Sequence, residues 1–234
     1  MFSRKLWMTG ADGALGKYVT DRLINEGWEI HATVHNTKTE EELFHTFHHH
    51  INNRVFAYRC DLTDSSSVER FFLNSGVADG LVHIAGGFVA NSDLGSTTIQ
   101  DFDHIFKLNT YSTFLLLKYA MPILKMQNRG SIVTIGAKPG LHPTSKNAVY
   151  AASKAGVISL SQTAAEEGRG NNVRVNCIVP AVINTPSNLK WGSEEEAKKW
   201  TPPEDIGDLI TYLVSPKSAG LTGAVIPMFG KLHY

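Results

Sequence analysis

Residues 5–19 read "KLWMTGADGALGKYV", and the order of residue types in this stretch decides the fold. An apolar run through Leu6, Trp7 and Met8 reads as a short strand. Gly10, Gly13 and Gly16 follow, and from Leu15 the apolar positions take helical spacing through Val19, Leu23 and Ile24. Glycines at such a junction permit positive φ in a tight turn and let backbone amides approach an anion without a Cβ in the way. The first turn of the helix beyond presents N–H groups that have no partner within the helix. Gly10, Asp12, Gly13, Ala14, Leu15 and Gly16 are therefore the predicted phosphate cradle. Their spacing is Thr-Gly-x-x-x-Ala-x-Gly, which differs from the common Gly-x-Gly-x-x-Gly turn and makes a moderate signal by itself.

Outward from that unit the same alternation repeats. "EIHATV", "RVFAYRCDL", "GLVHIAGG", "GSIVTIGA", "NVRVNCIVP" and "GAVIPM" read as further strands. Helical stretches are predicted from about Phe102 to Met126, over "NAVYAASKAGVISLSQTAAEEGR", and over "PPEDIGDLITYLVS" with Pro203 near its first turn. Continuous apolar strands alternating with helices imply strands buried on both faces. The expected fold class is thus α/β, a Rossmann-type doubly wound parallel sheet flanked by helices, with residues 1–234 as one domain. Ligands of such sheets gather beyond the carboxyl ends of the strands.

Bulk properties narrow the function. Lys plus Arg and Asp plus Glu number 22 each, so the chain has no charge excess suited to a nucleic-acid surface. Its hydrophobic fraction of 42% supports a sizeable core, but no apolar run is long enough to span a bilayer and the start is too short for a secretory signal. A cytoplasmic protein with no membrane partner is expected. Cys60 and Cys177 sit in strand-like runs and read as buried thiols. His45, His48, His49 and His50 invite a metal reading, but no Cys or acid with fitting spacing accompanies them, and no metal is expected.

A second stretch, "VYAASKAG" (149–156), places Tyr150 and Lys154 four residues apart, hence on one helix face. Taken alone, such a pair is as easily a packed tyrosine beside an exposed lysine. Together with the glycine turn it resembles the short-chain dehydrogenase/reductase family, and other marks follow in order. Asp61-Leu62 resembles the family's adenine-holding pair. "HIAGG" is similar to its Asn-Asn-Ala-Gly segment, with Ala85 and Gly86 kept and His83 in place of asparagine. Asn109 stands at its helix-bound catalytic asparagine. In "NCIVPAVINTP", Pro180, Ile183 and Thr185 match the residues lining the nicotinamide, and "LTGAVIPMFG" is similar to the closing strand.

The resemblance implies an NAD(P)(H)-dependent oxidoreductase acting on a small molecule. Tyr150 would exchange a proton with substrate, Lys154 would tune it and bind the nicotinamide ribose, and Asn109 would order a water. A free phenol has a pKa near 10. A nearby ammonium should lower it toward the working range of a general acid or base. The second strand ends at His35 without an acid that would disfavour a 2′-phosphate. With Lys38 following, the cofactor reading leans to NADP(H) over NAD(H), although Gly13 stands where many NADP-users carry a base. The family also suggests helix pairing between subunits, as a homodimer or homotetramer.

One position departs from the pattern. The family's serine thirteen residues before the tyrosine is here Ala137, so the usual hydroxyl on the substrate carbonyl is missing unless Thr134, Thr144 or Ser145 supplies one. The dihydropteridine reductase branch of the family shares Gly-Ala-Lys at this place, and its "AGGW"-like and "WTP" segments resemble residues 85–88 and 200–202. That likeness implies a quinonoid dihydropterin, an electron-poor acceptor that needs little polarisation. A general carbonyl or hydroxyl oxidoreductase and a non-catalytic NAD(P)-binding regulator are the alternatives. Residues 186–202, with Leu189, Trp191 and Trp200, are expected either to cover the substrate or to form a solvated helix.

Overall fold

A computed structural model describes residues 4–47, 54–89, 93–190 and 192–232. In chain order the elements are β1 (Arg4–Thr9), α1 (Ala14–Asn25), β2 (Trp28–Val34), α2 (Thr37–Phe47), β3 (Val55–Arg59), α3 (Ser65–Ser75) and β4 (Gly80–His83). There follow α4 (Ile99–Phe106), a π-helical turn (Lys107–Tyr111), α5 (Ser112–Met126), β5 (Gly130–Ile135), α6 (Lys138–Leu141), α7 (Ala148–Gly168), β6 (Val173–Pro180), α8 (Glu194–Ala197), α9 (Pro203–Val214) and β7 (Val225–Met228).

The seven strands form one sheet in the order β3-β2-β1-β4-β5-β6-β7, and every pairing is parallel. The expected doubly wound sheet is what the chain builds. Alternate residues of each strand feed opposite layers. Leu6 and Met8 of β1 face Val19 and Leu23 of α1, Leu43 of α2 and Ile206 and Ile210 of α9. Trp7 faces the other way, into Phe71 and Phe72 of α3, Leu116 and Leu124 of α5 and Ala164 of α7. Cys60 and Cys177 are buried free thiols.

Chain order reverses between β1 and β4, the switch point beyond whose carboxyl ends ligands of such sheets bind. The glycine turn follows β1, and the loop after β4 meets α7, the helix of Tyr150 and Lys154. The long helical stretch expected from Phe102 to Met126 is present but interrupted: one wide turn at Lys107–Tyr111 separates α4 from α5. Such turns leave backbone carbonyls outside the i→i+4 pattern. Here hydroxyls take them up, Ser112 Oγ donating to Leu108 O (2.6 Å) and Thr113 Oγ1 to Asn109 O (2.6 Å). Among the described residues no helix is long and apolar enough to cross a membrane.

Candidate active site

The glycine turn is built as its sequence predicts. Gly10 has φ +71°, and a Cβ there would come within 2.8 Å of Ala85 N. A Cβ at Gly16 would land on the Gly10 carbonyl oxygen. Both positions therefore require glycine, and the turn presses against the loop after β4. No side chain caps α1 at Gly13, so the first-turn amides from Ala14 onward remain directed at the turn. A cradle that a Cβ would fill, at an uncapped helix N-terminus, fits a pyrophosphate. The described geometry thus accommodates a dinucleotide.

Around this cradle the expected cofactor residues take their places on strand ends. His35 is exposed just past β2, and Asn36 beside it begins α2 by exchanging bonds with Thr39 (both 3.0 Å). Asp61 follows β3; Thr63 donates to its Oδ1 from N (2.8 Å) and Oγ1 (2.7 Å), which holds the carboxyl below its usual range. Leu62 is half-buried against the α3–α5 layer. Ala85 and Gly86 lie in the loop after β4. Pro180 ends β6, Ile183 pairs with Thr201, and Thr185 is buried.

The wide turn and α7 converge on residues 86–88. A Cβ at Gly86 would meet Asn109 Oδ1 at 2.7 Å and Lys154 Nζ at 3.3 Å. Gly87 N donates to Asn109 Oδ1 (2.8 Å), and Asn109 Nδ2 donates to Gly87 O (3.0 Å) and Ser153 Oγ (3.0 Å). Phe88 stands edge-on to Tyr150, ring centroids 5.0 Å apart. Tyr150, Lys154 and Asn109 are thus gathered at one loop. The amide of Asn109 is spent on Gly87 and Ser153, and its carbonyl takes the Thr113 hydroxyl. Sequence reasoning missed Gly87, Ser153 and Thr113 as parts of this lattice; the only available signal was their closeness in the chain to Gly86, Lys154 and Asn109.

The electrostatics differ from expectation. Lys154 is 6% exposed and its Nζ donates to the Ile135 carbonyl at the end of β5 (2.9 Å). Burial lowers its pKa to about 8. The predicted acidification of Tyr150 is not found: burial pushes the phenol up to about 12, and the lysine does not offset it. An ammonium directed at a backbone carbonyl gives the phenol little help. Desolvation disfavours the charged form of each group, which keeps the phenol neutral and brings the titration of the ammonium down toward neutral pH.

Ala137 is 4% exposed and forms the N-cap of α6 with no side-chain bond. Thr134 does not replace the family's serine; its Oγ1 lies 2.7 Å from Ser161 Oγ inside the sheet–α7 layer. Thr144 and Ser145 are exposed beyond α6, and Thr144 accepts from Asn147 (3.0 Å). In the 186–202 stretch, Trp200 is buried over Gly192 while Leu189 is exposed. Trp191 lies outside the described residues. Asn184 N donates to Thr201 O (2.8 Å) and Lys231 N to Lys199 O (2.8 Å), strapping the end of this stretch to the body. Its short helix α8 carries a Ser193–Glu196 capping box and a Lys198–Glu195 pair at 2.7 Å. His45 lies in the last turn of α2; His48, His49 and His50 lie outside the described residues.

Comparisons with known proteins agree with this architecture. A family model described as enoyl-(acyl carrier protein) reductase matches residues 10–230. The 3-oxoacyl-(acyl-carrier-protein) reductase FabG of Thermotoga maritima is 30% identical over 237 residues, spanning 96% of this chain and 96% of that protein. The 7alpha-hydroxysteroid dehydrogenase of Bacteroides fragilis is 29% identical over 243 residues, spanning 96% and 92%. A solved structure described as ElxO with NADP bound shares the fold with a TM-score of 0.91 and 24% identity, covering 98% of each chain. A phosphate-fitting glycine turn at the sheet's switch point and a Tyr–Lys–Asn cluster beside it, matched along nearly the whole length, place this chain in the short-chain dehydrogenase/reductase family of NAD(P)-dependent oxidoreductases.

Proposed function

We propose that the chain reduces an electron-poor acceptor, with Tyr150 delivering the proton and NADPH as the preferred cofactor. The observation that carries this reading is the convergence of Asn109, Lys154 and Tyr150 on residues 86–88, with the apolar Ala137 where a carbonyl-polarising hydroxyl would stand. Gly10 to Gly16 would hold the pyrophosphate, Asp61 and Leu62 the adenine, and Pro180, Ile183 and Thr185 the nicotinamide end. The dinucleotide supplies a hydride when bound.

The residues of the chain handle the proton and the fit. Desolvation keeps the proton on Tyr150, which suits a donor to a developing anion. Lys154, short of solvent, would settle by pairing with that phenolate as it forms and with ribose hydroxyls. Asn109 holds the loop and the catalytic helix in register. Phe88, 59% exposed beside Tyr150, offers a ring face to a flat substrate. A quinonoid dihydropterin has the required flatness and electron demand. The absence of an acid at His35 supports NADP(H), and the NADP of the ElxO structure is in keeping with that.

A second reading, reduction of carbonyls or oxidation of hydroxyls, is supported by the names of the acyl-carrier-protein reductase and hydroxysteroid dehydrogenase relatives. A homo-oligomer through α5 and α7 is part of the proposal: Tyr111 and Phe114 are exposed beside a groove lined by Leu117, Met121 and Leu160. The test is a comparison of NADPH and NADH oxidation with quinonoid dihydropterin and a carbonyl panel. Tyr150→Phe should bind NADPH normally and lose about 100-fold or more in turnover. Tight NADPH binding with no turnover on any acceptor would instead identify a regulator.

A further inference from the structure

The fourth strand ends in a histidine where the family resemblance has asparagine, and the ring stands between the two halves of the site. His83 is buried, with Nδ1 2.7 Å from Thr9 Oγ1 and Nε2 3.1 Å from Thr113 Oγ1. Donor and acceptor accounting fixes every proton along this line. Thr113 Oγ1 lies 2.6 Å from the carbonyl oxygen of Asn109, which can only accept, so the hydroxyl proton goes there. Toward His83 the same oxygen can then only accept, and Nε2 must be the donor. Ser112 Oγ, 3.5 Å from Nε2, has likewise given its proton to Leu108 O.

At the other nitrogen the reasoning closes. Burial and the nearby Lys154 charge push the imidazole pKa down to about 3, so it carries one proton, and Nδ1 is an acceptor. Thr9 Oγ1 therefore donates to Nδ1, and its own lone pair accepts from Ala85 N (3.2 Å). The result is a continuous directed chain from Ala85 N–H through Thr9, His83 and Thr113 to the carbonyl of Asn109. Its first members adjoin the glycine turn, and its last lies in the wide turn whose asparagine clamps Gly87 and Ser153.

We propose that His83 is a positioning residue, which as its Nε2–H tautomer ties the dinucleotide-facing loop to the wide turn and so sets where Asn109, Ser153 and the catalytic helix stand. The catalytic part of this statement rests on the proposed function; the hydrogen-bond chain does not.

The test has two arms on the full chain. Selective 15N labelling of the 10 histidines, with His83 assigned from the signal lost in His83→Asn, reads the tautomer at neutral pH. Protonated Nε2 and bare Nδ1 are expected; the reverse tautomer or an imidazolium overturns the chain. In turnover, His83→Phe should lower kcat by about tenfold to a hundredfold while KM and NADPH affinity move by less than about threefold. His83→Asn, which keeps a donor and an acceptor, should regain most of the loss. A folded His83→Phe with wild-type kcat, or an equal loss in His83→Asn, refutes the positioning role. If His83→Phe does not fold, the tautomer and the His83→Asn kcat decide. If the wild type binds NADPH and turns over nothing, the functional reading fails while the tautomer still tests the chain.

Discussion

Replacing Lys154 with methionine isolates the cost of burying its charge. The ammonium titrates at 10.5 in a solvated chain and at about 8 in the folded site. Between those values the unfolded chain binds more protons than the folded one, so stability rises with pH through that window. Below pH 8 the penalty is complete, about 3 kcal/mol, and by pH 9.5 it has fallen by about 2 kcal/mol. Methionine keeps the length and removes the charge. It also leaves the Ile135 carbonyl without its donor, a cost of about 1–3 kcal/mol that does not vary with pH. Urea unfolding followed by the fluorescence of buried Trp7, Trp28 and Trp200 gives both stabilities across the range. Wild type should gain about 2 kcal/mol on the variant between pH 7 and 9.5. A difference independent of pH would mean that the ammonium is solvated, and the dry proton-transfer site would go with it.

Three further substitutions probe other parts of the site. Gly16→Ala drives a Cβ onto the Gly10 carbonyl and should cost about 1–3 kcal/mol of stability and at least roughly tenfold in NADPH affinity, read by fluorescence titration. Ala137→Ser restores a hydroxyl at the mouth of β5; kcat/KM on carbonyls should rise about tenfold or more, with pterin reduction changed by less than about twofold. Phe114→Glu puts a charge on the 46% exposed ring of α5 and should convert the proposed homo-oligomer to monomers in light scattering, with the unfolding midpoint of the monomer unchanged.

The strand ends and the glycine cradle were legible because both follow from local rules: apolar runs of strand length, and glycines whose missing Cβ is needed where they stand. Other elements carried less signal. Helix α3 opens on Ser65, Ser66 and Ser67, a poor run for a helix, yet Asp64 accepts from Ser66 N and Ser67 N and starts it. Helix α2 buries only Leu43 and Phe47 among its described side chains, too little for a helical period to stand out. The strand expected through Leu62 stops at Arg59, with Cys60 N continuing the ladder to Val34 O (2.9 Å). In the site, the family resemblance foretold that Tyr150, Lys154 and Asn109 stand at one loop but not their charge states. The phenol's pKa turned on where Lys154 points, and that depends on a backbone carbonyl 19 residues earlier. The tautomer of His83 depends on hydroxyls from two other elements, a relation that exists only in three dimensions.

The strand order also bears on how the sheet is laid down during synthesis. Once β1, β2 and β3 have paired, every later strand joins at the same free edge: β4 on β1, β5 on β4, β6 on β5 and β7 on β6. At ribosomal speeds the stretch between Ile135 and Val173 takes a few seconds to emerge, and through that interval β5 is a bare apolar border. Its sequence, "GSIVTI", carries no charge or proline to deter a stray strand. The interval that delivers α7, the helix of Tyr150 and Lys154, is therefore also one in which the growing edge of the nascent sheet stands open to a stray strand.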